Sequence, residues 1–157
     1  MPYVNIRITR EGATAEQKAT LIRGVTRLLQ ETLGLFGFNL GFWRVAIKPG
    51  KPVLYGKLAG TPCFGLPGNP ASTAATFELF VKPALKTLAG QPAVRPERRR
   101  AVLTNRVKGG GARQVFLWCS LQWDAAGYRV TVAERQASGQ NRSLLAANAL
   151  LPLAPGV

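Results

Sequence analysis

The hexapeptide Gly65-Leu66-Pro67-Gly68-Asn69-Pro70 constrains the fold of this chain more than any other stretch. An apolar run, Thr61-Pro62-Cys63-Phe64-Gly65-Leu66, delivers the backbone to a Pro-Gly turn. Asn69 and Pro70 then supply the residue types preferred at a helix N-cap and at the first helical position. The spacing predicts a strand, a tight turn and a helix over 70–88. Its apolar face would be Ala74, Phe77, Val81, Leu85 and Leu88, with a kink at Pro83. A strand feeding directly into a helix belongs to an α/β fold.

The flanking segments extend this pattern on both sides. Val4, Ile6 and Ile8 alternate with polar positions as in a half-buried strand. Thr14 and Gln17 have the capping-box spacing of a helix start. Leu21, Ile22, Val25, Leu28 and Leu29 lie on one face of the helix that follows, and Gly34 suits its C′ position. A βα unit of this size is too small to fold alone. Residues 42–47 read as a strand and 53–58 as another, separated by the loop Lys48-Pro49-Gly50-Lys51-Pro52. Beyond Pro92, residues 100–107, 112–122 and 128–134 read as strands, with turn signals at Gly109-Gly110-Gly111 and Ala126-Gly127. Residues 144–151 form a further apolar stretch interrupted by Asn148. The expected architecture is α/β over 1–90 followed by a small antiparallel β domain. Its segments are 1–34, 42–90 and 92–157.

Composition narrows the chemistry. The 157 residues contain no histidine and a single aspartate, Asp124. A histidine general base, a Ser-His-Asp triad and a histidine-rich zinc site are therefore excluded. Twenty-one basic residues against seven acidic ones give a net charge of +14, which favours anionic ligands. The densest basic cluster, Arg95, Arg98, Arg99 and Arg100, reads as a solvated linker, and no nucleic-acid motif accompanies it, so nucleic acid is not the expected partner. No apolar run approaches the roughly 20 residues needed to span a bilayer, so no membrane is expected. The N-terminus lacks the apolar core of a signal peptide. Cys63 and Cys119 are too few for a disulfide scaffold and read as core thiols of a cytoplasmic protein.

Two features could carry an anion. The helix start at Gly68-Asn69-Pro70 presents orphan amides and a positive dipole end, with Pro67 shaping the turn and the Ser72 and Thr73 hydroxyls in the first turn. The same residues also make a plain strand–turn–helix junction. Lys48 and Lys51, on a loop stiffened by two prolines, can act as point charges on phosphate or stand solvated. The strands between loop and helix could bring both features to one sheet edge.

Three segments in this order carry a family resemblance: residues 42–52, Phe-Trp-Arg-Val-Ala-Ile-Lys-Pro-Gly-Lys-Pro; 65–70, Gly-Leu-Pro-Gly-Asn-Pro; and 76–85, Thr-Phe-Glu-Leu-Phe-Val-Lys-Pro-Ala-Leu. They resemble the C-terminal part of the molybdopterin molybdenumtransferases, the family that includes the gephyrin E domain. Residues 111–117, 136–139 and 143–148 continue the likeness to about residue 153, although Trp118 stands where that family usually has arginine. The resemblance implies insertion of molybdate into adenylylated molybdopterin with Mg²⁺ and release of AMP. It implies a ligand site formed by Lys48, Lys51, Pro67, Gly68, Asn69, Pro70, Ser72, Arg113 and Ser138. The acidic motifs that hold Mg²⁺ in the family have no counterpart in the matching stretch, so no metal ligand is assigned. The expectation is a fragment that binds molybdopterin or its adenylylated form with little or no turnover by itself. Self-association is left open.

Residues 2–9 and 14–26 resemble a different family, the 4-oxalocrotonate tautomerases, over about the first 34 positions. That resemblance implies removal of Met1 and use of Pro2 as the catalytic base. A secondary amine at the N-terminus can serve this role because α-amino groups titrate near neutral pH, from about 7.7 to 8.0. The first region thus becomes a partial tautomerase-like βα unit, and residues 42–90 a partial molybdopterin-binding-like α/β unit. The alternatives to a transferase fragment are a Pro2 isomerase and a nonenzymatic fusion remnant. A natural fusion, a truncated gene and an assembled chimera would all give this sequence.

Overall fold

The computed structural model describes residues 14–92, 94–108, 111–133, 136 and 142–156. Pro2, the strand expected through Val4, Ile6 and Ile8, and Ser138 lie outside them. The described residues fall into two compact units. One comprises residues up to Asn39 together with Lys57–Pro62, and the other Leu40–Gly56 with Cys63 onward. The architecture is mixed α/β.

In the first unit, helix α1 (Ala15–Leu35) begins at the predicted capping box. Thr14 Oγ1 accepts from the Gln17 amide at 3.1 Å, and the Gln17 side chain accepts from the Thr14 amide at 2.8 Å. The expected end at Gly34 is corrected. Gly34 lies inside the helix, and Gly37 takes the left-handed conformation (φ +78°) that stops it. Leu28, expected on the apolar face, is exposed, while the side chains of Leu21, Ile22, Val25 and Leu29 lie outside the described set. Ala59 and Gly60, both at positive φ, form a two-residue turn between β3 (Leu54–Leu58) and β4 (Thr61–Gly65). Such turns suit the twist of paired strands.

Strands β1 (Phe38–Trp43), β3 and β4 form a three-stranded sheet in the order β1-β3-β4. In the second unit, Phe42, Tyr55 and Phe64 make a chain of tilted ring contacts, and Phe42 also meets Phe80. The single strand expected over 42–47 is broken in two. Arg44 turns the chain with φ +66°, its guanidinium 4.1 Å from the Trp43 ring centre, and strand β2 (Ile47–Lys48) joins a different sheet.

The helix expected over 70–88 has three parts: α2 (Pro70–Thr76), a π-helical turn (Phe77–Val81) and α3 (Lys82–Leu88). Pro83 has no amide to give and would crowd the carbonyl four residues back. The chain absorbs this by widening the preceding turn, where the Lys82 amide donates to the Phe77 carbonyl. The extra residue rotates the later positions, so the expected apolar face does not survive. Phe77, Leu85 and Leu88 are exposed, and the buried side of α2 is Ala71, Ser72, Ala75 and Thr76.

The C-terminal sheet is built on β6 (Gln114–Asp124). It pairs antiparallel with β7 (Gly127–Val132) and β8 (Ala149–Leu153), as the turn signals predict. Two short parallel ladders add β2 to β6 and β5 (Val102–Leu103) to β7, so the sheet is mixed. Of the strand expected over 100–107, only Val102–Leu103 pairs. Cys119, Val130 and Val132 form one buried cluster, joined by Leu117, Leu121 and Leu151. Burial raises the Cys119 thiol above its usual pKa, against a smaller opposing effect of its hydrogen bond with the Leu151 backbone. Cys119 lies in the core and Cys63 is half-buried.

Candidate anion-binding site

The loop bearing Lys48 and Lys51 is tied at several points. The Arg44 amide donates to the Val53 carbonyl at 3.1 Å, and the Val45 amide to the Lys51 carbonyl at 3.0 Å. The Lys48–Pro49 peptide is cis. Gly50 (φ +109°) lies so close to the helix that a Cβ there would sit 2.5 Å from Thr76 Cγ2 and 3.1 Å from Ile47 Cδ1. Only glycine accommodates both that conformation and that contact. The loop is therefore pressed against the C-terminal end of α2, with Lys48 and Lys51 exposed. Asn69 caps the other end of the same helix, about 10 Å away along its axis at 1.5 Å per residue.

Strand β6 fixes this arrangement from the other side. Ile47 and Lys48 pair with Gln114 and Val115. Just before β6, the half-buried Arg113 donates from Nη1 to the Ile47 carbonyl at 3.2 Å. Further along, Trp118 packs on Ala71 and Ala75, and its indole Nε1 donates to the Ala71 carbonyl at 3.3 Å. One strand thus holds both the lysine loop and the first turn of α2. Sequence spacing gave no sign that Trp118 anchors this helix.

The helix start is only partly as expected. Asn69 has the extended backbone of an N-cap, but its side chain makes no capping bond. Gly68, Asn69 and Pro70 are exposed and Pro67 is half-buried. A Cβ on Gly68 would meet nothing within 4 Å, so the turn is open on that side. The Thr73 hydroxyl, expected in this first turn, is taken up by the backbone. Its Oγ1 donates back to the Pro67 carbonyl and to the Asn69 carbonyl, the latter at 3.0 Å, which braces the turn. Ser72 is buried, with 5% of its surface exposed.

The motif residues Gln136 and Asn148 have structural work that their sequence context does not reveal. The Gln136 side chain accepts from the Trp118 amide at 3.1 Å and donates to the Trp118 carbonyl at 2.8 Å. Asn148 does the same for Leu121 at 2.7 and 2.9 Å. Asn105 does so for Val132 at 3.0 and 2.9 Å. Each amide imitates a strand neighbour where the ladder would otherwise end.

The described residues offer no fitting donor set for the implied Mg²⁺. No group of three or more His, Cys, Asp or Glu side chains able to hold a metal occurs among the described residues. Glu31, Glu78, Glu97 and Asp124 are each paired with a basic side chain. Among the described residues, no helix is long and apolar enough to cross a membrane.

Two stretches of the chain match known families. Residues 13–87 match the family described as "Probable molybdopterin binding domain", and residues 100–157 match "MoeA C-terminal region (domain IV)". Molybdopterin molybdenumtransferase 2 of Mycobacterium tuberculosis is 37% identical over 112 residues, 71% of this chain and 27% of that protein. The crystal structure of the molybdopterin biosynthesis moeA protein from Pyrococcus horikoshii OT3 superposes with a TM-score of 0.61 at 30% identity, covering 76% of this chain and 29% of that one. The chain thus spans just over a quarter of these relatives' length. A "Probable tautomerase K2" from Dickeya dadantii is 71% identical over 34 residues, 22% of this chain and 51% of that protein.

Proposed function

Beyond its N-terminal segment the chain belongs to the molybdopterin molybdenumtransferase family, and on that premise we propose that it binds a molybdopterin-type pterin phosphate and an oxyanion such as molybdate. The ligand surface combines Lys48, Lys51 and Arg113 with the Pro67-Gly68-Asn69-Pro70 turn; Ser72 is buried in the first turn of α2, and Ser138, which the resemblance adds, lies outside the described residues. The observation that carries this reading is the convergence on β6. The Lys48 loop, Arg113 and the first turn of α2 are all tied to one strand. Two ammonium groups and a guanidinium supply charge, and exposed amides of the turn supply directional donors. Equilibrium titration of the full chain with molybdate, and separately with a pterin phosphate, tests the reading. Saturable binding that weakens with salt is expected, with at least a fivefold loss in the Lys48→Ala/Lys51→Ala double variant. Unchanged affinity in a folded double variant would remove the reading.

The chain alone is proposed not to release AMP from adenylylated molybdopterin, because the described residues lack a carboxylate set for Mg²⁺. AMP release by the purified chain would overturn this and assign a metal-binding role to one or more of its seven carboxylates.

The 34-residue likeness to a tautomerase supports a second reading for the N-terminal segment, an isomerase acting through Pro2. It requires removal of Met1. Intact mass retaining Met1 would end it, and keto–enol activity lost in Pro2→Ala would support it.

A further inference from the structure

We propose that the tip of the β6–β7 hairpin, with the arginine run beside it, is a binding surface for single-stranded nucleic acid. Charge without a motif argues against nucleic acid on sequence alone, but the fold supplies the aromatic surface that the sequence does not display. Trp123 and Tyr128 face each other across the hairpin, their rings edge to face at 4.7 Å. Trp123 keeps 69% of its surface exposed, more than a core-packing role explains. Beyond Cys119, β6 has no further register partner on β8, so this end of the hairpin stands free of that strand.

Strand register and a ring contact bring Arg99 of the basic cluster to the same place. Val102 and Leu103 run parallel to Arg129 and Val130. Arg100 lies two positions before the start of that ladder. Arg99 lies over the Tyr128 ring at 5.8 Å. Arg99 also pairs with Glu97, and Arg129 with Asp124 at 2.7 Å. Arg95, Arg98 and Arg100 are exposed and form no ion pair with another described residue. Arg99 and Arg129 thus stand at the hairpin beside an exposed indole, and Arg98 and Arg100 flank Arg99 along the chain.

Stacking aromatics inside a cationic groove are the requirements for binding single strands without sequence preference, because every base has a π-face. A duplex hides those faces, and a plain polyanion has none. The chemistry therefore selects an unpaired strand over either.

Fluorescence titration of the full chain with an unlabelled oligothymidylate of about 20 nucleotides tests this, alongside a duplex of the same length, polyphosphate and polyglutamate. Tryptophan quenching and saturable binding of the single strand are expected. Trp123→Ala should abolish most of the quench and weaken binding about tenfold. Arg98→Ala/Arg100→Ala should reduce the salt slope by about 1.4, for two lost phosphate contacts at about 0.7 each. Both sets of residues are exposed, and far-ultraviolet circular dichroism matching the parent establishes that the variants fold. Binding of duplex, polyphosphate or polyglutamate as tight as the single strand would overturn the proposal. So would single-strand binding that is unaffected by Trp123→Ala.

Discussion

The Arg113 guanidinium donates to the Ile47 carbonyl at 3.2 Å across a sequence separation of 66 residues. It does so immediately before the point where Ile47 pairs with Gln114. The bond closes the end of the β2–β6 ladder and holds the root of the Lys48 loop. Arg113→Ala should lower stability by about 1–2 kcal/mol, the upper part of the range for charged hydrogen bonds being discounted for partial exposure. Arg113→Lys should recover part of it. Denaturant midpoints at unchanged slope measure both. A loss below about 0.3 kcal/mol would mean that the ladder holds the loop without Arg113.

The two glycines of the candidate site should behave in opposite ways. Gly50→Ala places a Cβ 2.5 Å from Thr76 Cγ2 at φ +109°, so a loss of about 3 kcal/mol or more is expected. Gly68→Ala meets nothing within 4 Å and should leave thermal stability within about 0.5 kcal/mol of the parent. Any fall in anion affinity in Gly68→Ala then reports on the ligand rather than on folding. A strongly destabilised Gly68→Ala would show that the turn is closed on that side.

Trp118 packs against alanines because only small side chains let α2 approach β6 this closely. Ala75 is fully buried, and Ala75→Leu should destabilise by about 1–3 kcal/mol through overpacking. Trp118→Phe removes the indole donor to the Ala71 carbonyl and leaves a void, for an expected loss of about 1–3 kcal/mol. Near-ultraviolet circular dichroism with thermal melts checks both. Stability unchanged in both variants would place the helix elsewhere.

The three side-chain amides that complete the sheet are not equivalent. Gln136 bonds the Trp118 backbone in part-buried surroundings, whereas the Asn148 bonds to Leu121 are exposed. Water can replace the latter. Gln136→Ala should therefore lose about 1–3 kcal/mol and Asn148→Ala about half as much. The reverse order in urea titrations would contradict this assignment of burial.

Burial raises the Cys119 thiol, so the unfolded chain gives up this proton at lower pH than the folded one. Its contribution to stability is complete below the unfolded thiol value and is lost as pH rises through the folded value. Native Cys119 should resist alkylation at pH 8 and react once denatured, as peptide mass mapping would reveal. Rapid native alkylation would show an open path to β6.

Local chemistry was legible in the sequence wherever it is decided by neighbours along the chain. The Thr14–Gln17 capping box, the strand-to-helix junction at Asn69-Pro70 and the Ala126-Gly127 turn depend on a few adjacent residues, and they appear where expected. The family likeness was legible for the same reason, since its motifs are short and ordered. Other features depended on distant partners. Gly37 rather than Gly34 ends α1, and a π turn before Pro83 rotates the helix away from its expected apolar face. The 42–47 strand is divided between two sheets because Ile47 finds Gln114, 67 positions later. Trp118 reads as one more apolar residue until Ala71 and Ala75 are set beneath it. Arg99 reads as one more linker charge until the parallel pairing of Val102–Leu103 beside it sets it over the Tyr128 ring. Capping and turn preferences act over three or four residues, so sequence fixes them. Packing and strand pairing are settled by which distant surfaces exclude water together, and only the folded chain decides that.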